Sequence, residues 1–272
     1  MQDYILRNIT PFDLGLTLDC GQAFRWKKCE DGSFEGIAMG KYLRLSQNGN
    51  DLIFHNTSKE DFENIWFAYF DFGRDYGKVI DRANKDSRIA PMTKVCGGIR
   101  ILRQSPWEAL CSFIISQNNN IPRIKGIIER LCESFGDPIE KGYTFPTPEK
   151  LKDLCVEDLA PLRSGFRAKY ILDAARKCCN GLDLEYIKTL PIDKAREQLM
   201  TITGVGPKVA DCTMLYGMGF AEAFPMDVWM KKAMTTIFSD GFPEDLNDCA
   251  GIVQQYIFHY IRTGSGQKTD KN

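Results

Sequence analysis

Ile202-Thr203-Gly204-Val205-Gly206-Pro207-Lys208-Val209-Ala210-Asp211-Cys212 is the stretch on which the fold turns. Before it, residues 193–200 carry Ala195 and Leu199 on one side of an amphipathic helix. After it, residues 207–218 make a second helix, with Val209, Cys212, Thr213 and Tyr216 available to pack. Gly204 and Gly206 let the chain turn tightly between the two helices and leave its N–H groups uncovered. Those groups sit at a helix N-terminus, where the dipole favours an anion such as a phosphate. A plain corner between two helices has the same local signature, so the loop by itself leaves both readings open.

Lys208 adds to this. A lysine in the first turn of a helix faces the positive end of the dipole, at a cost of roughly 0.3–1 kcal/mol. The same field, helped by partial burial, disfavours the ammonium form. A nucleophilic lysine needs its neutral amine. A surface lysine that tolerates the penalty, or that only grips phosphate, is the simpler alternative. Further on, Phe224-Pro225-Met226-Asp227-Val228-Trp229 precedes an apolar helical run through Met230, Ala233, Met234 and Ile237. This spacing puts Asp227 at the helix N-cap. Capping would hold its carboxylate ionised, which suits stabilisation of a developing cation.

Outward from this centre the chain divides in character. Residues 23–28, 34–39, 42–47 and 52–55 are short runs of aromatic and branched residues. Asp31-Gly32, Gly40-Lys41 and Asn48-Gly49 separate them, and the pattern predicts antiparallel strands. From residue 59 the periodicity turns helical, with Phe62, Ile65, Trp66 and Tyr69 on one face of residues 59–72. Ser105-Pro106 starts another helix, with Trp107, Leu110, Cys111, Ile114 and Ile115 as its apolar side. The polar run Gln117-Asn118-Asn119-Asn120 reads as a helix–helix loop. Pro122 opens the next helix, which carries Ile124, Ile128, Leu131 and Phe135 and stops at Gly136. The expected class is α+β. An N-terminal antiparallel sheet unit with flanking helices covers 1–100, and a mostly helical unit with the hairpin at 193–218 covers 101–272. Residues 264–272 look frayed.

Composition bounds the function. The chain has 272 residues and a formal net charge of −1, so any nucleic-acid surface must be local. Ten cysteines are scattered with no CxxC pair, and only His55 and His259 are present as histidines. No metal site and no cofactor is therefore expected. Neither a secretory leader nor a membrane-length apolar run is visible. A reducing compartment inside the cell fits, and secretion does not.

At this point the residues are recognisable. Gly204-Val205-Gly206-Pro207-Lys208-Val209-Ala210-Asp211, followed by Asp227, resembles the helix–hairpin–helix DNA glycosylases with a Gly/Pro-rich loop and an aspartate. More narrowly, the chain is similar to the animal-type 8-oxoguanine DNA glycosylases from about residue 15 to about residue 262. The similarity includes Cys20-Gly21-Gln22-Ala23-Phe24-Arg25-Trp26, Ser116-Gln117-Asn118-Asn119-Asn120-Ile121-Pro122-Arg123-Ile124 and Gly165-Phe166-Arg167-Ala168-Lys169-Tyr170. It also includes Ala250-Gly251-Ile252-Val253-Gln254-Gln255-Tyr256-Ile257-Phe258.

The resemblance implies a bifunctional base-excision enzyme. Lys208 would attack the sugar C1′, expel the base and form a Schiff base, and β-elimination would nick the strand. Asp227 would stabilise the cationic transition state. The purine would be flipped out into a pocket. There Gln254 meets its Watson–Crick edge, Phe258 stacks on the ring, and Cys212 lines the same space. The Gly21 carbonyl would accept N7–H, a proton that guanine lacks. Gly204 and Gly206 would grip the DNA backbone. Asn118, Arg123 and Arg167 would hold the orphaned cytosine, with Phe166 as the intercalating ring where the animal enzymes have tyrosine. Trp229 departs more sharply, because the animal enzymes have a histidine there near a phosphate. The implied partner is double-stranded DNA carrying 8-oxoguanine opposite cytosine, bound by a monomer with no membrane involved. The location would be with the DNA, in cytoplasm and nucleoid or in a nucleus.

Two other classes compete. Endonuclease III-like enzymes share the lysine and aspartate but usually carry a four-cysteine cluster, and alkylated-base glycosylases usually lack the lysine. A DNA-binding module without catalysis would use the hairpin alone and would not need Lys208, Asp227, Gln254 and Phe258 together.

Overall fold

Alternating burial along residues 34–55 builds a sheet with one face in the core. The computed structural model describes residues 2–264. Strands β1 (Tyr4–Leu6), β2 (Trp26–Lys28), β3 (Phe34–Ala38), β4 (Lys41–Asn48) and β5 (Asp51–His55) pair antiparallel in the order β1-β5-β4-β3-β2. Leu45 sits opposite Phe34 on one side and Phe54 on the other, so three buried side chains line up across β3, β4 and β5. Gly36 lies opposite Trp26, and a Cβ there would meet the indole at 2.6 Å. The indole N–H donates to the Tyr69 hydroxyl at 2.9 Å, which ties the sheet edge to the helix above it.

Two elements beside the sheet are among those not expected. One is β1, too short to carry a pattern. The other is helix α1 (Leu14–Asp19), whose N-cap Asp13 accepts the Leu16 N–H at 2.7 Å. The strand expected over 23–28 begins only at Trp26, because residues 20–25 form the turn that faces the functional site. Helix α2 covers residues 59–69 and contains one π-helical turn at Phe62–Trp66. It buries Phe62, Trp66 and Tyr69 on the sheet, where they form one aromatic layer with Phe54 and Phe70.

The helical layer follows. It comprises α3 (Tyr76–Ala83), α4 (Ala90–Cys96), α5 (Pro106–Ser116), α6 (Ile121–Phe135), α7 (Arg167–Cys179), α8 (Ile192–Met200), α9 (207–218), α10 (Val228–Thr236) and α11 (Ala250–Thr263). Ser105 stands at the N-cap of α5, but its hydroxyl makes no capping bond. Gly136 ends α6 with an extended backbone, and the need for glycine is close approach, since a Cβ would meet the Thr144 carbonyl at 2.1 Å. Helices α3 and α4 pack into the helical core rather than onto the sheet. Cys96, Cys111, Cys132, Cys212 and Cys249 are buried in that core as small hydrophobes. No helix among the described residues is long and apolar enough to cross a membrane. The frayed tail expected over 264–272 lies, apart from Gly264, outside the described residues.

Candidate active site

The hairpin comes first, because it aims everything else. Helix α8 ends at Met200, Val205 N–H donates to Ile202 O at 3.0 Å, and α9 starts at Pro207. Gly204 has φ +81°, and a Cβ there would stand 2.4 Å from the Tyr170 ring, so both backbone sign and space demand glycine. Nothing lies within 4 Å of a Cβ on Gly206, so the front of the loop is open. Across the turn, Thr203 N–H donates to Asp173 Oδ2 at 2.7 Å, and Arg196 Nε donates to Asp211 Oδ1 at 2.8 Å. Both helices are thereby locked to each other and to α7.

Behind the open loop lies a cavity of about 740 Å³. Lys208, in the first turn of α9, reaches into it. Its Nζ donates to Ser116 Oγ at 3.2 Å and sits 5.4 Å from the centre of the Phe113 ring. Asp227 lines the same cavity from the start of α10, where its Oδ1 accepts the Met230 N–H at 2.8 Å. Cys212, one turn after Lys208, forms another part of the wall. Burial pushes the Cys212 thiol up to about 11, against the pull of the Lys208 cation, so the thiol stays protonated and neutral at pH 7.

Gln254 and Phe258 project from one face of α11 into this space. Gln254 is 3% exposed; its Nε2 donates to Pro225 O at 3.1 Å, while its Oε1 is buried with no hydrogen-bond partner among the described residues. A buried acceptor left unmet costs stability, and its place in the wall leaves it for a ligand N–H. Gly21 closes the opposite side with φ +90°. The turn that carries it is clamped by Gln22, a residue whose importance no local pattern revealed. Gln22 Nε2 donates to Thr17 O and Arg100 O at 2.8 Å, and its Oε1 accepts Leu102 N–H at 2.9 Å. Gln22 O in turn accepts Gln104 Nε2 at 2.7 Å. From below, Gln255 Nε2 donates to Cys20 O at 3.4 Å, and Tyr216 holds the other end of that amide.

Asn118, Gly206 and Trp229 also line the cavity, whereas Arg123, Phe166, Arg167 and Gly204 do not. Asn118 is exposed in the left-handed region at φ +47°, and Arg123 is exposed at the start of α6. Phe166 is 46% exposed and stands edge-on to Tyr170. Arg167, expected to reach the orphaned cytosine, is instead buried against its own chain. It is 3% exposed, with Nε donating to Gln117 O at 2.9 Å, NH2 to Asn118 O at 2.9 Å and NH1 to Ser164 O at 3.1 Å. Burial and the nearby Arg123 cation both push its guanidinium below its ordinary value. Trp229 is 38% exposed on the lip, beside Val228. Ser116, Gln22, Gln255 and Arg262 are site neighbours that the sequence reading did not single out.

An amine at the mouth of a glycine-rich hairpin, a capping carboxylate and a cavity roomy enough for a nucleotide, with a free amide acceptor in its wall, define a base-excision glycosylase of the helix–hairpin–helix class. Residues 111–244 match the HhH-GPD superfamily of base excision DNA repair proteins, and residues 4–110 match the N-terminal domain of 8-oxoguanine DNA glycosylase. The chain belongs to the 8-oxoguanine DNA glycosylase family, whose members are N-glycosylases with DNA lyase activity. It resembles the Clostridium acetobutylicum 8-oxoguanine glycosylase/lyase, solved with double-stranded DNA containing cytosine opposite 8-oxoguanine, at 40% identity and a TM-score of 0.92, covering 97% of this chain and 96% of that one. A probable N-glycosylase/DNA lyase of Methanothermobacter thermautotrophicus is 30% identical over 92% of this chain and 94% of its own length. The Saccharomyces cerevisiae N-glycosylase/DNA lyase is 42% identical over 50% of this chain, a match spanning 40% of the yeast protein.

Proposed function

We propose that this chain flips 8-oxoguanine out of duplex DNA and excises it, with Lys208 as nucleophile and Asp227 as the electrostatic partner of the sugar cation. The observation that carries the reading is that Lys208, Asp227, Cys212, Gln254, Phe258 and Gly21 all line one cavity. The neutral amine of Lys208 attacks C1′, the N-glycosidic bond breaks, and the electron pair leaves with the base. The adduct nitrogen gives up one proton, which the departing base takes up; the ring C1′–O4′ bond then breaks, O4′ takes a proton from solvent, and an iminium that keeps one N–H forms. Loss of a C2′ proton then expels the 3′ phosphate. The Asp227 carboxylate, held by its cap, faces the positive charge on the sugar as that charge grows. Gln254 Oε1 takes an N–H of the Watson–Crick edge, Phe258 and Cys212 enclose the ring, and the Gly21 carbonyl takes N7–H. Guanine has only a lone pair at N7, so the Gly21 carbonyl oxygen and that nitrogen would face each other as two acceptors and repel.

On the opposite strand, the Arg123 fork and Asn118 meet the orphaned cytosine, and Phe166 fills the gap in the stack. Arg167 keeps one NH1 hydrogen uncommitted for the same base while it holds the asparagine turn in place. Gly204 and Gly206 present the loop N–H groups to a phosphate, and Trp229 flanks the flipped sugar. The protein acts as a monomer on DNA, in cytoplasm and nucleoid or in a nucleus. The division into units 1–100 and 101–272 is likewise our reading, with α3 and α4 bridging the boundary.

Borohydride trapping on a duplex with one 8-oxoguanine opposite cytosine tests the chemistry. A covalent adduct with the protein and none with Lys208→Gln is expected. Absence of both adduct and released base with the unaltered protein overturns the proposal.

A further inference from the structure

The wall of the cavity beside Gly21 holds a cation that the chemistry above leaves unused. Arg262 lies one turn beyond Phe258 on α11 and lines the cavity. Its Cζ stands 5.2 Å from the centre of the Phe258 ring, and its NH1 would be 3.2 Å from a Cβ on Gly21. The guanidinium therefore packs on the two residues taken to bracket the purine. Its field also reaches the buried Cys20 behind Gly21, where it opposes the burial that raises the thiol. Arg74, Arg82, Arg88 and Arg196 are each held by carboxylates. Among the described residues, no hydrogen bond or ion pair engages Arg262 in that way. It is half-buried, so water satisfies only part of its fork, and its NH1 end lies beside Gly21 in the wall of the pocket with N–H donors to spare.

We infer that Arg262 donates to the C8 carbonyl oxygen of the extruded purine, and so makes this protein read the oxidised position directly. The inference rests on the reading of Gly21 and Gln254 given above. In 8-oxoguanine the N7–H and the C8=O are adjacent on one edge. With Gly21 O accepting from N7–H, a donor packed against Gly21 meets the neighbouring oxygen. Guanine offers C8–H at that place, which accepts nothing, and the guanidinium would be stranded in a pocket that the base has emptied of water. Charge-assisted hydrogen bonds of this kind are short and strong. A site built around an unspent donor rejects an analogue without the acceptor more sharply than an apolar wall does.

The test compares duplexes in a Lys208→Gln background, which binds without turning over. One duplex carries 8-oxoguanine opposite cytosine; another carries a tetrahydrofuran abasic analogue opposite cytosine, with the same phosphates and no base. Arg262→Leu should weaken binding to the first by roughly tenfold or more and to the second by less than about twofold. Arg262→Lys, which keeps the charge and one donor, should lose affinity partially and again only for the 8-oxoguanine duplex. It also provides the readout should the leucine variant fail to fold. Equal losses on the two duplexes would assign Arg262 to a phosphate and overturn the inference, and so would no change on either. Failure of the otherwise unaltered protein to release 8-oxoguanine would instead overturn the reading of the whole pocket.

Discussion

Asp227 joins two duties in one carboxylate. Its Oδ1 takes the Met230 N–H, and the same group lines the cavity with Lys208. Asparagine caps helices as well as aspartate does. Asp227→Asn should therefore keep the fold and lower turnover on the order of a hundredfold, with DNA affinity changed by less than about threefold. Asp227→Ala should in addition lose about 1 kcal/mol of stability in a thermal melt. Equal losses in binding and turnover would make the residue structural only. Trp229 supports a second prediction. An indole carries no charge, so DNA affinity should show no titration near pH 6.5 that depends on this position. In Trp229→His a ring of ordinary behaviour protonates below about 6.5. Its cation would then attract a nearby phosphate, so the variant should bind more tightly at pH 5.5 than at pH 8. Unchanged pH dependence in direct titrations would place Trp229 away from the backbone.

At the scale of elements, the hairpin is the joint whose failure would be felt furthest. Gly204→Ala puts a Cβ into the Tyr170 ring and an alanine at φ +81°. A loss of about 2 kcal/mol or more in chemical denaturation is expected, the sum of left-handed strain and overpacking. Asp173 gives the joint a pH dependence. Burial raises the carboxyl, but the Thr203 N–H and Lys177 outweigh it and hold it below the ordinary 3.8. Its contribution is thus complete above pH 3.8 and is lost as pH falls through the lower, folded value. The stability advantage over Asp173→Asn should be constant from pH 5 to 7 and shrink below 3.8. The hairpin was legible because its instructions are local: two glycines, a proline and flanking apolar periodicity. The strands were legible for the same reason, through Asp31-Gly32 and Asn48-Gly49. What escaped depends on distant pairing. Gln22 meets Arg100 and Leu102 some eighty residues away, and nothing in the chemistry of a glutamine announces that. The burial of Arg167 was not legible because its acceptors, Gln117 O and Asn118 O, belong to a backbone fifty positions earlier.

The whole molecule carries a formal net charge of −1, yet its role requires a polyanion. Distribution resolves this. Many acids are paired with arginines away from the cavity, as in Arg82–Asp248, Arg88–Asp240 and Arg103–Asp71. Of the cations lining the cavity, Lys208 and Arg262 face the sugar and the base on the reading above, which leaves Lys231, with Arg123 exposed on the neighbouring helix start, to meet phosphates. A footprint this small should make few phosphate contacts, so the slope of log affinity against log salt should be shallow. Lys231→Ala should reduce its magnitude by about 0.9 if that residue meets one phosphate. An unaltered slope, measured by titration at several salt concentrations, would remove Lys231 from the interface. The clamp on Gly21 has one more outcome. Gly21, Lys208 and Phe258 come from distant parts of the chain and meet around one cavity only once it has folded. On the proposed reading, a half-folded copy would carry Lys208 with no chamber in which to use it. Excision should therefore begin only in copies whose N-terminal turn has docked, since the cavity has no wall at Gly21 before that.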